Sequence, residues 1–464
     1  MPVETSPAGR TPSDCPQGWR EVPLGSVTDV RFSSVDKLTY GSEEPIRLCN
    51  YIEVYQNDYI TADLEFMRAS ATHAEIDRLG LQVGDVIITK DSEAQDDIGV
   101  PAVVDYAAPD LVCGYHLGLL RPKQTQVDPT FLSKQLGHHR LAHYFGRQAN
   151  GLTRYGLPIS AVTNAPIWLP HLTEQKTIGL LLRLVDEAIA TTEAVIAKLK
   201  QVHSGLLHDL LTRGLDADGQ LRDPIGHPEQ FQDSPLGRIP REWEVSRLVD
   251  ACEKIADRDH TTPTYVSEGV RMVSPTHFIG EDEIDFKSCP LISVEAHLQN
   301  RQKTDLRVDD VIIHRIGAGL GRVRLMKQGM PEFSILHSLA MIRSKPQRLA
   351  SRFLYWVLQV DVVQVQMGLG TQSIGVPDLG LDKIGGVLMP LPVPAEQVRI
   401  ADALDGTAEG ISSEIRSLAK LHQLKSGLMT DLLTGRVRVP ETLDLAEKHI
   451  SRSPPSSTTL IAGI

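Results

Sequence analysis

A chain of 464 residues is too long for one hydrophobic core, and its length points to two or three domains. The net charge of −12 weighs against nucleic-acid binding, so only local basic clusters can bear on a phosphate contact. No apolar run approaches the roughly 18–20 residues of a membrane span, and MPVETSPAGRTPSDCPQG lacks the basic-then-apolar order of a signal peptide. Five cysteines (Cys15, Cys49, Cys113, Cys252, Cys289) stand far apart without a CxxC, so reduced thiols in a cytoplasmic protein are expected and a zinc site is not.

Residues 1–15 are polar, rich in Pro, Ser and Thr, and are expected to form a disordered tail. A first globular part, 16–168, opens at GWREVPLGSV, where Trp19, Val22 and Leu24 alternate as a short strand. LQVGDVIITK (81–90) reads as a turn at Gly84-Asp85 entering a buried strand, and VPAVVDY and LVCGYHLGLLRP are two further strand candidates. Asp128-Pro129 opens a helix through Phe131, Leu132, Gln135 and Leu136. NGLTRYGLP is a glycine-bounded loop, and ISAVTNAPIWLP returns to a strand.

Residues 169–215 then read as one helix. Apolar residues at Ile178, Leu182, Val185, Ile189, Ile196, Leu199, Leu206 and Leu210 form a heptad seam with polar breaks at Thr192 and His203. No proline interrupts the roughly forty residues after Leu169-Pro170, about 60 Å of helix at 1.5 Å per residue. A connector rich in Gly, Pro and Asp follows at 216–238.

The order then repeats. In the second globular part, 239–390, REWEV matches GWREV, LRVDDVIIHR matches LQVGDVIITK, and FSILHSLAMIR matches LVCGYHLGLLR. GTQSIGVP (370–377) matches GLTRYGLP (151–158), keeping both glycines and the proline. A second long helix spans 391–437, with Leu391 standing for Leu169, a shift of 222 positions. Glu396-Gln397 then falls on Glu174-Gln175, and the seam continues as Ile400, Leu404, Ile411, Leu418, Leu421 and Leu428. Residues 438–464 are expected to be a disordered tail. The fold class is therefore α+β, with two similar α/β domains separated by two long antiparallel helices that form a coiled coil, an internal two-fold pseudo-repeat. Such a chain can present two similar surfaces to a partner that is itself two-fold or linear, as duplex DNA is.

Catalytic motifs are missing. Gly317–Arg322 (GAGLGR) matches neither a phosphate-binding GxxxxGK[ST] nor GxGxxG, and there is no HExxH, GxSxG or amino-methyltransferase motif. His139 and His143 stand four apart on a helix without a neighbouring carboxylate, which fits a surface beside phosphate better than a metal site. Two acid-free basic windows stand out in this acidic chain. One is 129–173, with Lys134, Arg140, Arg147, Arg154, His138, His139, His143 and His171. The other is 312–331, with Arg315, Arg322, Arg324 and Lys327.

The run from Leu169 to Val245, with LPxLxEQKxI, GLLxDLLTRG, DGQLRDP, HPEQF and DSPLGRIPREWEV, resembles the specificity subunit of type I restriction–modification enzymes. LPVPAEQVRI and GLMTDLLTGRV carry the same resemblance in the second helix, and GW…VPLG, GDVIITKDSE and the GxxxxG[LV]P loop match more loosely. The resemblance implies a non-catalytic subunit with two target-recognition domains, each reading one half of a split DNA target. It implies long helices that set the spacer and dock two methyltransferase subunits, directing adenine methylation and, with translocase–nuclease subunits, restriction. S-adenosylmethionine, ATP and Mg²⁺ are then bound by partners and none by this chain. A methylation-only system, or a coiled-coil scaffold without a DNA role, are the alternatives. Groove and phosphate contacts call for Arg, Lys, Asn, Gln, Ser, Thr or His at loops. The candidates are Lys90, Ser92, Arg140, Arg147, Asn150, Thr153 and Arg154 in the first part, and His314, Arg315, Arg322, Arg324, Gln372 and Ser373 in the second. KDSEAQDD (90–97) is acidic where the second copy is basic, so the two halves should read unlike sequences.

Overall fold

The computed structural model describes residues 15–261, 263–370 and 377–439. Both expected tails, apart from their innermost residues, and the loop residues 371–376 lie outside this description. Contacts within the chain gather into two units, one of residues 1–193 with 417–464 and one of residues 194–416.

The first unit is built on a five-stranded sheet of β1 (Thr28–Phe32), β2 (Tyr59–Ile60), β3 (Val86–Thr89), β4 (Pro101–Val104) and β5 (Leu117–Pro122), in the order β1-β5-β3-β4-β2. Val-Ile-Ile-Thr of β3 is buried at all four positions, the pattern of a strand covered on both faces. It pairs antiparallel with β5, Val86 opposite Leu120. Glu44–Cys49 pairs with Met67–Ala71 antiparallel and with Leu111–Cys113 parallel to make a second sheet. Helix α1 (His73–Leu79) starts from a capping box in which Thr72 accepts the Glu75 N–H and Glu75 accepts the Thr72 N–H. Helix α2 (Pro129–Gly137) begins where Asp128-Pro129 requires, with the Asp128 carboxylate accepting the Phe131 N–H at 2.9 Å.

Three local readings change. LVCGYHLGLLRP is two strands, one in each sheet, broken at Gly114, where an added Cβ would lie 2.8 Å from the Cys49 carbonyl. Leu24 begins a helical turn, Leu24–Val27, and does not extend the strand Arg20–Pro23. ISAVT is likewise a turn of helix before the strand Pro166–Leu169, which pairs with Arg20–Pro23.

Helix α3 (Leu172–Thr212) is unbroken over 41 residues. The connector after it carries a hairpin, Phe231–Ser234 against Gly237–Pro240, more structure than its composition announces.

The second unit repeats the plan of the first. Strands β6 (Cys252–Ala256), β7 (Val311–His314), β8 (Val323–Leu325) and β9 (Leu339–Ser344) lie in the order β6-β9-β7-β8. Val-Ile-Ile-His of β7 is fully buried and pairs antiparallel with β9. A second sheet again joins a parallel pair, Val270–Val273 with Phe333–Ile335. Helix α4 (Val294–Arg301) follows a Ser293 cap, and α5 (Ser351–Val357) occupies the place of α2. Helix α6 (Pro394–Leu433) has 40 residues.

Both long helices contribute to each unit. In the first, Ile178 and Leu182 share a core with Leu432 and Leu433, with Leu428 at its margin. In the second, Leu210 and Leu211 share a core with Ile400, Ala401 and Leu404, with Leu206 at its margin. Of the expected seam, Ile178, Leu182, Ile189, Ile196, Ile400, Leu404 and Ile411 are buried, and Val185, Leu199, Leu206, Leu418, Leu421 and Leu428 half-buried. Among the described residues no helix is long and apolar enough to cross a membrane.

Candidate nucleic-acid interface

The repeat is carried by chemistry as well as by strand order. Asp85 and Asp310 each open a buried strand. Asp85 accepts the Gln82 N–H at 2.8 Å and the Arg121 guanidinium at 2.8 Å through both oxygens. Asp310 accepts the Arg307 N–H at 2.8 Å and the Arg343 guanidinium at 2.9 and 2.7 Å. Each carboxylate is 1% exposed, so the paired arginine and the backbone N–H are what make its burial tolerable.

The Glu-Gln dipeptides that open the long helices have equally matched tasks. Gln175 accepts the Asp128 N–H and donates to the carbonyls of Gln126 and Pro170. Gln397 accepts the Ala350 N–H and donates to the carbonyls of Arg348 and Pro392. Each amide therefore ties its long helix to the segment that starts α2 or α5. Glu174 is clamped by Arg438 at 2.7 Å, and Glu396 by Arg222 at 2.6 Å, the arginine in each case lying in the segment that follows the other long helix. Glu396 also accepts from Trp243 and from the Leu215 N–H.

The glycine-bounded loop of the first unit, and the residues just past that of the second, bond the outgoing end of the central strand. Leu157 N–H donates to Lys90 O at 2.8 Å, and Leu379 N–H to Arg315 O at 2.9 Å. The loops and the segments around them carry the expected DNA-contacting residues, and the structure divides these sharply. Arg147, Asn150, Thr153 and Arg154 are exposed, and Leu152 between them is 94% exposed. Gly151 turns the tip with φ +145°, where a Cβ would lie 1.9 Å from Arg154 O, so only glycine fits. Lys90 lies along the Tyr115 ring, 4.4 Å from its centroid, with Asp91 3.7 Å away.

Five expected contacts are instead put to internal use. Ser92 is buried and accepts the Ala94 N–H. Arg140 lies 3.8 Å over the Trp168 ring and donates to Pro166 O and Gln135, and burial pushes its pKa down to about 10. His314 is 2% exposed, its ring nitrogens 2.8 and 2.7 Å from the carbonyl oxygens of Gly319 and Ile316. Arg315 donates to Leu379 O, His337 O and Asp378, with Asp257 3.2 Å away. Arg324, 2% exposed, donates to the carbonyls of Glu283, Val323, Ile279 and Gly280. An acid-free window does not distinguish an arginine that holds a loop's carbonyls from one that faces solvent. Arg322 is exposed and gives one bond, to Phe278 O. Gln372 and Ser373 lie outside the described residues.

Sequence reasoning missed a group at the matching edge of the second unit. His260 and His337 stack with centroids 4.9 Å apart, beside Arg258 and Arg315. Burial, together with the neighbouring His260, Arg258 and Arg315, lowers the His337 pKa. The only signal was the string Arg258-Asp259-His260 just after a strand, which spacing alone does not mark. Among the described residues no cluster of three or more His, Cys, Asp or Glu could hold a metal ion.

Comparison with known proteins fits this geometry. No family model matches the chain. Its fold is similar to that of the type I restriction–modification S subunit from M. genitalium, with a TM-score of 0.58, 14% identity, and 92% of this chain and 99% of that one covered. It is also similar to a chain solved in a study of complex assembly and conformational transition in the type I R-M system, with a TM-score of 0.52, 17% identity, and coverage of 92% and 100%. In sequence it is 24% identical over 371 residues to a Methanocaldococcus jannaschii protein provisionally named the type I restriction enzyme MjaX specificity subunit, covering 79% of this chain and 81% of that one. It is 23% identical over 283 residues to the MjaVIII specificity subunit of the same organism, covering 60% and 63%. The fold is thus that of type I S subunits, a mixed helix-and-strand architecture with a long helix. The chain is a homologue of curated type I restriction enzyme specificity subunits.

Proposed function

We propose that this chain is the DNA sequence-specificity subunit of a type I restriction–modification complex. Each globular part, 16–168 and 239–390, reads one half of a bipartite target. The two long helices pair antiparallel along their leucine and isoleucine seam, set the spacer between the half-sites, and dock two methyltransferase subunits. Adenine methylation, and restriction once translocase–nuclease subunits join, are then directed by a chain that is not itself an enzyme. S-adenosylmethionine, ATP and Mg²⁺ belong to the partners, and the complex works in the cytoplasm.

One observation carries this reading. The interior is repeated down to single hydrogen bonds, the Asp85–Arg121 and Asp310–Arg343 pairs and the Gln175 and Gln397 anchors. The sequences between these anchors diverge, acidic KDSEAQDD in the first part standing against the basic Ile312–Pro331 window in the second. A duplicated frame with divergent surfaces is what two readers of unlike half-sites need. In the first part, Arg147 in the last turn of the helix His139–Gln148 and Asn150, Thr153 and Arg154 in the loop after it are the exposed groups suited to phosphate and base edges, and Leu152 at the tip suits a thymine methyl.

The test is a base-modification map of host DNA by long-read sequencing, with and without the gene. A split motif carrying N6-methyladenine only when the gene is present is the expected result. An unchanged map, with the methyltransferase partner expressed and intact, returns the chain to a helical scaffold without a DNA role.

A further inference from the structure

Arg258 follows strand β6 by two residues and is 6% exposed. Its Nη2 donates to Thr261 Oγ1 at 3.0 Å, but Nε and Nη1 are buried without an acceptor. Burial lowers its pKa from the usual arginine value. Native interiors leave few polar atoms unpaired, because an unmet donor forfeits its hydration and gains nothing in return. Among the described residues it is the one arginine with two buried nitrogens in this state. Arg315, Arg324 and Arg343 of the same unit are all occupied by carbonyls or carboxylates.

The guanidinium borders a cavity of about 450 Å³ in the second unit, whose polar wall includes Thr261, Thr264, Ser293, Gln299, Asn300 and Lys303. Lys303 is already paired with Asp259, and Glu295 offsets the remaining cation, so the wall is rich in hydrogen-bonding groups without net charge. Such a lining suits the edge of a nucleobase better than a phosphate held by charge alone. The stacked His260 and His337 rings stand beside the guanidinium.

The first unit lacks the feature. Two residues past β1 stands Ser34, whose hydroxyl is satisfied by Glu75 of α1 at 3.2 Å. Its own surface pocket, beside Arg31 and Arg78, has both guanidiniums bonded to Asp29 or to backbone carbonyls. Among the described residues an arginine with two unmet donors thus occurs in one half only, as target-reading chemistry should.

We propose that Arg258 is a specificity-determining residue of the second half, reading the acceptor edge of a guanine at the mouth of this cavity with Asn300 and Gln299 beside it. This rests on the proposed role in DNA recognition. The test compares modification maps of cells carrying the full chain as wild type, Arg258→Ala, Arg258→Lys, Gln299→Ala or Asn300→Ala. The expected result for Arg258→Ala is a loss of roughly 5- to 150-fold in discrimination at one G·C position of a single half-site, the other half-site unchanged. The rim variants Gln299→Ala and Asn300→Ala loosen the same position less, and keep the question open to test if Arg258→Ala does not fold. An unaltered motif in the rim variants and in Arg258→Lys overturns the inference. So does an even loss across all sequences with a salt slope reduced by about one, which marks a phosphate contact. A wild-type chain that yields no split motif fails the proposed function itself, and is distinguished from both by appearing before any substitution is made.

Discussion

At the scale of single residues, the buried charges decide most. Asp310 and Arg343 are 1% and 8% exposed and meet through two hydrogen bonds, so losing Arg343 leaves Asp310 a buried charge without its counter-ion, and losing Asp310 leaves Arg343 only the more exposed Asp305 at 3.2 Å. Asp310→Ala is expected to lower stability by about 3 kcal/mol, seen as a shifted urea midpoint by tryptophan fluorescence. His138 makes a second prediction. It is 5% exposed, its Nε2 has no partner, and burial pushes its pKa from 6.5 down to about 4, helped by His139 and Arg140. The unfolded chain binds this proton at pH 6.5 and the folded chain only near pH 4. Stability therefore falls as pH drops through that window and levels below it. His138→Gln should flatten the melting temperature between pH 6.5 and 4, and a profile that keeps its slope would assign the acid sensitivity elsewhere.

At the scale of elements, the ends and middles of the long helices are held by different means. Gln175 and Gln397 each make three bonds to main-chain groups, and both are at most 1% exposed. Replacing either by alanine strands buried carbonyls and an N–H, for an expected cost of about 2 kcal/mol in thermal or urea unfolding. Within the first unit, Lys425 on α6 lies 2.7 Å from Asp186 on α3 and 2.8 Å from Asp58. Lys134 on α2 reaches the same two carboxylates at 2.6 and 3.1 Å, and Tyr59 donates to Asp186. Against the opposing effect of burial, the two lysines hold the Asp58 pKa below the usual carboxylate range. In the second unit His203, the residue that the repeat pairs with Lys425, bonds Thr407 at 2.6 Å and packs on Trp356. In the sequence His203 and Lys425 stood only as polar breaks in the seam, and Asp58, Lys134 and Asp186 left no such mark. They are two different polar knots, one charged and one aromatic. A double-mutant cycle of Lys425→Met and Asp186→Asn should give a coupling above about 1 kcal/mol, and additive losses would show that the charges do not act together.

At the scale of the whole molecule, an acidic chain can still grip DNA if its exposed cations are local and its interior acids are paired. Arg147 and Arg154 are exposed without a carboxylate partner, whereas Arg324 is wholly engaged inside. In titrations of duplex DNA against salt, Arg147→Ala and Arg154→Ala should each weaken binding evenly across sequences and lower the slope by about one. Arg324→Ala should instead loosen the hairpin whose carbonyls at Ile279, Gly280 and Glu283 it holds, lowering the melting temperature.

The sequence by itself determined the duplication, the two forty-residue helices and the positions of the buried strands. Those follow from periodicity and local chemistry: apolar spacing, Asp-Pro at a helix start, Gly-Asp before an apolar run. It also placed a glycine-bounded loop at NGLTRYGLP, because Gly151 and Gly156 with polar neighbours mark a loop locally, and the structure exposes Asn150, Thr153 and Arg154 on it. Only the tertiary structure decided which basic residues were free. Arg140, His314, Arg315 and Arg324 have the same side chains as their exposed counterparts. Their fate depends on carbonyls and rings contributed from up to 64 residues away in sequence, as between Arg315 and Leu379. The same holds for Arg258, which nothing in its neighbourhood of the chain singles out. Whether a guanidinium is satisfied depends on long-range packing, and that is fixed only when the chain has folded.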